Sequence, residues 1–183
     1  MKHALTDLVE AIPHSSLRKL TARALEIAPA AFWTAPASTS GKYHPAASLG
    51  KGGLVRHTRA VHALVLDLLA MYGVEPHAPL YSVCCAAALL HDAWKVSEDS
   101  EHSHFDHPLR AGRAILPLLE QYSGIPPHSG AQLLEAIESH MGRWNTSKHA
   151  PGITLPRPLS EAAWIVHTAD FIASRKHVSI EQK

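Results

Sequence analysis

An all-α fold is expected from three features of the sequence. Apolar residues recur at helical spacing along most of the chain. No segment keeps the strict alternation of a half-buried strand. Clusters of Pro, Gly, Ser and Thr separate the periodic runs. At 183 residues the chain is most simply one domain. It divides into N-terminal helices (1–33), a connecting loop (34–53) and a helical core (54–177).

Residues 4–12 read as a short helix ended by Pro13. Ser15 or Ser16 then offers an N-cap. Leu17, Leu20, Thr21, Ala24, Leu25 and Ala28 follow on one helical stripe until Pro29. The stretch 34–53 holds four glycines and two prolines and reads as a loop. A helix over 54–71 closes at Gly73, and another covers 79–95. Polar residues 96–106 connect to a helix over 107–121, with Pro108 in its first turn. Pro117 inside that helix predicts a kink or an early end. A helix over 129–142 comes next. A second long loop at 145–158, with three prolines and a glycine, leads to a helix capped by Ser160 and running to about 176. Loops this long in a compact domain are commonly functional.

A formal net charge of +1 gives no broad basic field, so strong duplex DNA binding is not expected. Met1–Glu10 shows no basic-then-apolar leader, and no apolar run approaches the length of a membrane span. Adjacent Cys84 and Cys85 offer no disulfide framework. A cytoplasmic location is therefore expected. The unusual number is histidine, at 15. Histidine is the commonest metal ligand, so composition raises a metal site without placing it.

Placement comes from the helical stripes. His57 shares a stripe with Leu54, Val61, Leu64, Val65 and Leu68, so it points at the core. His91 and Asp92 end the apolar run Ala86-Ala87-Ala88-Leu89-Leu90. His140 falls with Leu133, Leu134 and Ile137, and Asp170 lies inside the apolar run 165–172. Singly, each has an ordinary explanation: a satisfied core histidine, a His–Asp hydrogen bond, or pairing of Asp170 with Arg175. Jointly, several helices turn metal-binding side chains inward, which is how helical bundles build metal sites.

These pieces, with His107-Pro108-Leu109-Arg110-Ala111-Gly112, resemble the HD superfamily of metal-dependent phosphohydrolases. The motifs are Gly53-Leu54-Val55-Arg56-His57-Thr58, Leu89-Leu90-His91-Asp92-Ala93-Trp94-Lys95, Ser139-His140-Met141-Gly142-Arg143-Trp144 and Val166-His167-Thr168-Ala169-Asp170. Phe32-Trp33-Thr34-Ala35-Pro36-Ala37, Tyr43-His44-Pro45-Ala46, Gly52-Gly53-Leu54 and the Pro156 to Asp170 stretch are similar to the HD domain of YhaM-type 3′–5′ exoribonucleases. That likeness spans roughly residues 17–177, without the OB module those enzymes carry. The resemblance implies that His57, His91, Asp92 and Asp170 bind one metal. His107 and His140 complete a second site, with Asp92 bridging. His102 and His104 compete with His107 for its place. His44 sits near the pocket mouth. His62 and His167 either support the ligands or simply pack.

Mixed imidazole and carboxylate ligands suit two divalent transition metals, such as Mn, Fe, Co, Ni or Zn. The implied reaction is hydrolysis of a phosphomonoester or phosphodiester of a nucleotide or short oligonucleotide by a metal-activated hydroxide. Asp92 and Lys95 are the expected catalytic residues, though Lys95 would equally complement a helix C-terminus. Arg110 and Arg143 are candidate phosphate clamps or ordinary surface ion-pair partners. Trp144 could stack on a base or belong to the core. A diiron oxygenase resembling inositol oxygenase is the alternative, although Lys95 after His91-Asp92 fits hydrolases better. A non-catalytic nucleotide-binding module ranks third. No membrane partner is expected, and self-association is left open.

Overall fold

A computed structural model describes residues 4–38, 41–97, 102–178 and 180. Among them the fold is all-helical, as expected, in seven α-helices. These are α1 (Thr6–Glu10), α2 (Ser15–Ile27), α3 (Gly53–Met71), α4 (Pro79–Leu90), α5 (His107–Gln121), α6 (Pro127–Glu138) and α7 (Glu161–Ala173). Parts of the two polar connections, 39–40 and 98–101, lie outside the described residues. No described helix is long and apolar enough to cross a membrane.

Helix α4 is the axis of the bundle. Every residue from Ser82 to Leu90 is buried. A helix apolar all round must be enclosed on all sides, and α2, α3, α6 and α7 pack against it. Helix α3 packs on α7, and α5 and α7 each pack on α6. Pro starts α4, α5 and α6 within the first turn, where its missing N–H costs nothing. Ser160 caps α7 by accepting from the Ala163 N–H, as expected. Glu135 of α6 adds a joint there. Its Oε1 accepts from the N–H groups of Leu159 and Ser160 at 2.8 and 2.9 Å.

Several boundaries differ from the sequence reading. The N-cap of α2 is His14, whose Nδ1 accepts from Leu17 N–H, so neither Ser15 nor Ser16 caps it. Pro117 does not end α5, which runs on to Gln121. Helix α4 stops at Leu90 rather than 95, α6 at Glu138 rather than 142, and α7 at Ala173 rather than 176. The ends of α4 and α6 have a shared cause. His91 Nδ1 donates to Ala88 O at 2.8 Å, and His140 Nδ1 donates to Ile137 O at 2.7 Å. Each imidazole takes a carbonyl that the next helical turn would have used. Tight turns follow, with Lys95 N–H on Asp92 O and Gly142 N–H on Ser139 O. The loop over 145–158 is pinched by one antiparallel bridge between Thr146 and Thr154.

Candidate metal centre

Four of the six expected ligands sit at helix ends or just beyond them. His57 lies in the second turn of α3 and His107 opens α5. His91 and Asp92 follow α4, and His140 follows α6 by two residues. Asp170 lies in α7. All six are brought together in two groups of three. Donor atoms of His57, His91 and Asp170 lie within 4.8 Å of one another, as do those of Asp92, His107 and His140.

Asp92 joins the two groups. Its Oδ2 lies 3.7 Å from His57 Nε2 and 3.6 Å from His91 Nε2. Its Oδ1 lies 3.0 Å from His107 Nε2 and 3.5 Å from His140 Nε2. One carboxylate therefore faces one histidine pair with each oxygen. Asp170 Oδ1 closes the first group, 3.0 Å from His57 Nε2 and 3.9 Å from His91 Nε2. Ser174 Oγ donates to the same oxygen at 3.3 Å. Arg175 is not the partner of Asp170. Its Nε donates to Phe171 O instead.

Proton positions follow from the outer hydrogen bonds. His107 Nδ1 donates to His104 O at 2.6 Å, so His107, His91 and His140 all spend Nδ1 on the carbonyl three residues earlier. In the neutral ring each Nε2 then carries the lone pair, facing inward, the arrangement that metal-ligating histidines adopt. His107 Nε2 and His140 Nε2 stand 3.1 Å apart, both facing Asp92 Oδ1. His91 Nε2 and Asp92 Oδ1 are buried without a hydrogen-bond partner. Orphaned buried groups cost about 1–3 kcal/mol each. A cation between these lone pairs and the carboxylate removes that cost, so the residues fit a metal pair.

The charge states agree. Burial pushes the Asp92 carboxyl up, but Lys95 and His91 outweigh it and hold it well below its ordinary range. Burial likewise opposes ionisation of Asp170, and the His57 contact reverses this. Burial lowers His91 to about 4 and also lowers His107. His140 is raised: burial pulls it down, and its contacts with Asp92 win. Both carboxylates are thus anionic and His91 and His107 neutral at neutral pH, while His140 favours its protonated form beside Asp92 and would release that proton to a bound metal.

A cleft of about 700 Å³ opens onto this centre, with Asp92, His107, His140 and Asp170 in its lining. Lys95 lines it too, with Nζ 2.7 Å from Asp92 Oδ2. His44 and Arg143 line the cleft as well. His44 Nδ1 is buried without a hydrogen-bond partner, and its ring lies 5.2 Å from that of His57. Arg110 is outside the lining and donates to Asp106 at 2.8 Å. His104 is held by Ser97, 2.8 Å from its Nε2, and neither His102 nor His104 joins the ligand groups. His62 is buried in α3 outside the centre. His167 supports it, donating Nδ1–H to His140 O at 2.6 Å. The sequence reading missed Tyr43, Phe171 and Ser174 as cleft residues. Helical spacing from Asp170 would have found Ser174, four residues on.

No family model, curated protein or solved structure matches the chain.

Proposed function

We propose that the chain is a metal-dependent phosphohydrolase of the HD type, acting on a phosphate ester of a nucleotide or short oligonucleotide. The observation carrying this reading is Asp92, one buried carboxylate with a histidine pair facing each of its two oxygens. His57, His91, Asp92 and Asp170 would hold one divalent transition metal, and Asp92, His107 and His140 a second. When bound, such ions supply Lewis acidity to water and to phosphoryl oxygens.

The chain's own residues do the rest. Asp92 and Asp170 stay ionised and fix the spacing of the two halves. The backbone carbonyls of Ala88, His104 and Ile137 hold the imidazoles in one tautomer. Lys95 reaches the cleft from the turn after α4 and presents Nζ beside Asp92. From there its ammonium can neutralise a phosphoryl oxygen or give its proton to a leaving oxygen. A lysine there favours hydrolysis over the oxygenase chemistry that a similar ligand set supports.

The test is metal content followed by hydrolysis with manganese of p-nitrophenyl phosphate and bis(p-nitrophenyl) phosphate. Asp92→Ala is expected to lower the rate on the preferred ester by at least about 100-fold, by analogy with loss of a main electrostatic stabiliser. Equal rates for wild type and variant on both esters would overturn the reading. So would a mixed-valent diiron signal with oxygen consumption in anaerobically purified protein.

A further inference from the structure

The cleft wall beside the metal centre carries a layered group of cations and aromatic rings. Trp144 and Phe171 are stacked, with ring centroids 5.4 Å apart and planes 18° apart. The Arg143 guanidinium lies over Trp144 at 4.5 Å. The Arg175 guanidinium lies over Phe171 at 4.3 Å and within 5.9 Å of Trp144. All four residues line the same cleft as Asp92 and His140. They come from two places in the fold, the turn after α6 and the end of α7.

Two features make this more than core packing. Trp144 keeps 40% of its surface exposed in the lining of the cleft, so a ligand held there can reach its ring. Neither Arg143 nor Arg175 forms an ion pair with a carboxylate among the described residues, whereas Arg110 and Arg113 pair with Asp106. Two guanidiniums held over aromatic rings, without a carboxylate partner among the described residues, suit a ligand that is both planar and anionic.

We infer that Trp144 and Phe171, with Arg143 and Arg175, form a subsite that stacks one unpaired nucleobase and holds the phosphate attached to it. The substrate is then a single-stranded oligonucleotide of at least two residues, rather than a mononucleotide. The base lies on Trp144 in the place the Arg143 guanidinium now covers. Arg143 swings off the ring toward the adjoining phosphate, and Arg175 stays fixed by its bond to Phe171 O. A base within a duplex has no free face to offer, so paired nucleic acid is excluded. The inference uses the phosphohydrolase reading only to say where the scissile bond lies.

The test is calorimetric binding to the full chain in excess EDTA, so that hydrolysis does not enter. The probes are the 5′-phosphorylated adenosine dinucleotide and a counterpart of the same charge built on abasic sugars. On the wild type the dinucleotide is expected to bind at least about fivefold more tightly than the abasic probe, the lower end for one base on an aromatic ring. Trp144→Leu should remove that preference while leaving abasic binding unchanged. Arg175→Gln should weaken both probes and flatten the dependence of affinity on salt. Trp164→Leu, an exposed tryptophan outside the cleft, should change neither. Equal binding of the two probes to the wild type would overturn the subsite, and that comparison needs no variant to fold. Full dinucleotide affinity in Trp144→Leu would overturn it too. An inactive chain that keeps the base preference would instead sustain the subsite and overturn only the hydrolase reading.

Discussion

His62 shows how a buried imidazole behaves when no ligand shares it. It is 4% exposed in α3. Burial, with the nearby Arg59 charge adding to it, lowers the group from its ordinary 6.5 to about 4. The folded chain therefore keeps His62 neutral down to about pH 4, while the unfolded chain protonates it near pH 6.5. Unfolding takes up a proton between those values. This contribution to stability is complete above pH 6.5 and is lost as pH falls through about 4, to a total of about 3 kcal/mol. His62→Leu should remove that part of the acid sensitivity. Urea unfolding of wild type and variant at pH 7 and pH 4.5 checks it, and a stability difference that is the same at both would refute it. His91, also lowered to about 4, differs in having its Nε2 turned toward Asp92 and the ligand cluster.

At the scale of the element, four of the six candidate ligands lie at or just past helix ends. A helix interior uses up its carbonyls, but its last turn leaves them free. His91 and His140 use this, each tying Nδ1 back to the last turn and turning Nε2 outward from the helix end. The turn after α6 depends further on Gly142, which adopts φ +57°. A Cβ there would run into the His167 ring, whose Nδ1 holds the His140 carbonyl. Gly142→Ala should cost about 1–2 kcal/mol from the left-handed backbone alone. It should also displace His167 and lower the metal bound per chain. Denaturant unfolding together with elemental analysis tests this, and a variant with wild-type stability and metal content would refute it.

At the scale of the whole molecule, the six candidate ligands come from α3, the turn after α4, the start of α5, the turn after α6, and α7. An ion bound there ties together elements that the unfolded chain leaves far apart. It should bind the folded state alone and stabilise it by mass action. Manganese or zinc at 100 times its dissociation constant should add about 2.7 kcal/mol, raising Tm, and EDTA should reverse the rise. The same titration on Asp92→Ala should show little shift. A wild-type Tm indifferent to both metal and chelator would argue that the centre holds none.

The helical class, the two long loops and the inward direction of His57 and Asp170 were legible in the sequence. They depend on local periodicity, which the order of residues states directly. Their apolar stripes place His91 and His140 within helix bodies, and both lie past helix ends. The reason is the Nδ1–carbonyl bond, which an apolar stripe cannot reveal. His107 was preferred to its neighbours on a motif, and only its convergence with Asp92 and His140 separates it from His104 in space. The phosphate role expected of Arg110 met a competing partner, Asp106, four residues earlier on the same helix turn. The sequence by itself determined which side chains are chemically able to bind a metal and that most of them face inward. Tertiary structure alone decided that one carboxylate stands between two histidine pairs, because that spacing is set by how α3, α4, α5 and α6 pack, and no local pattern encodes the distance between helices.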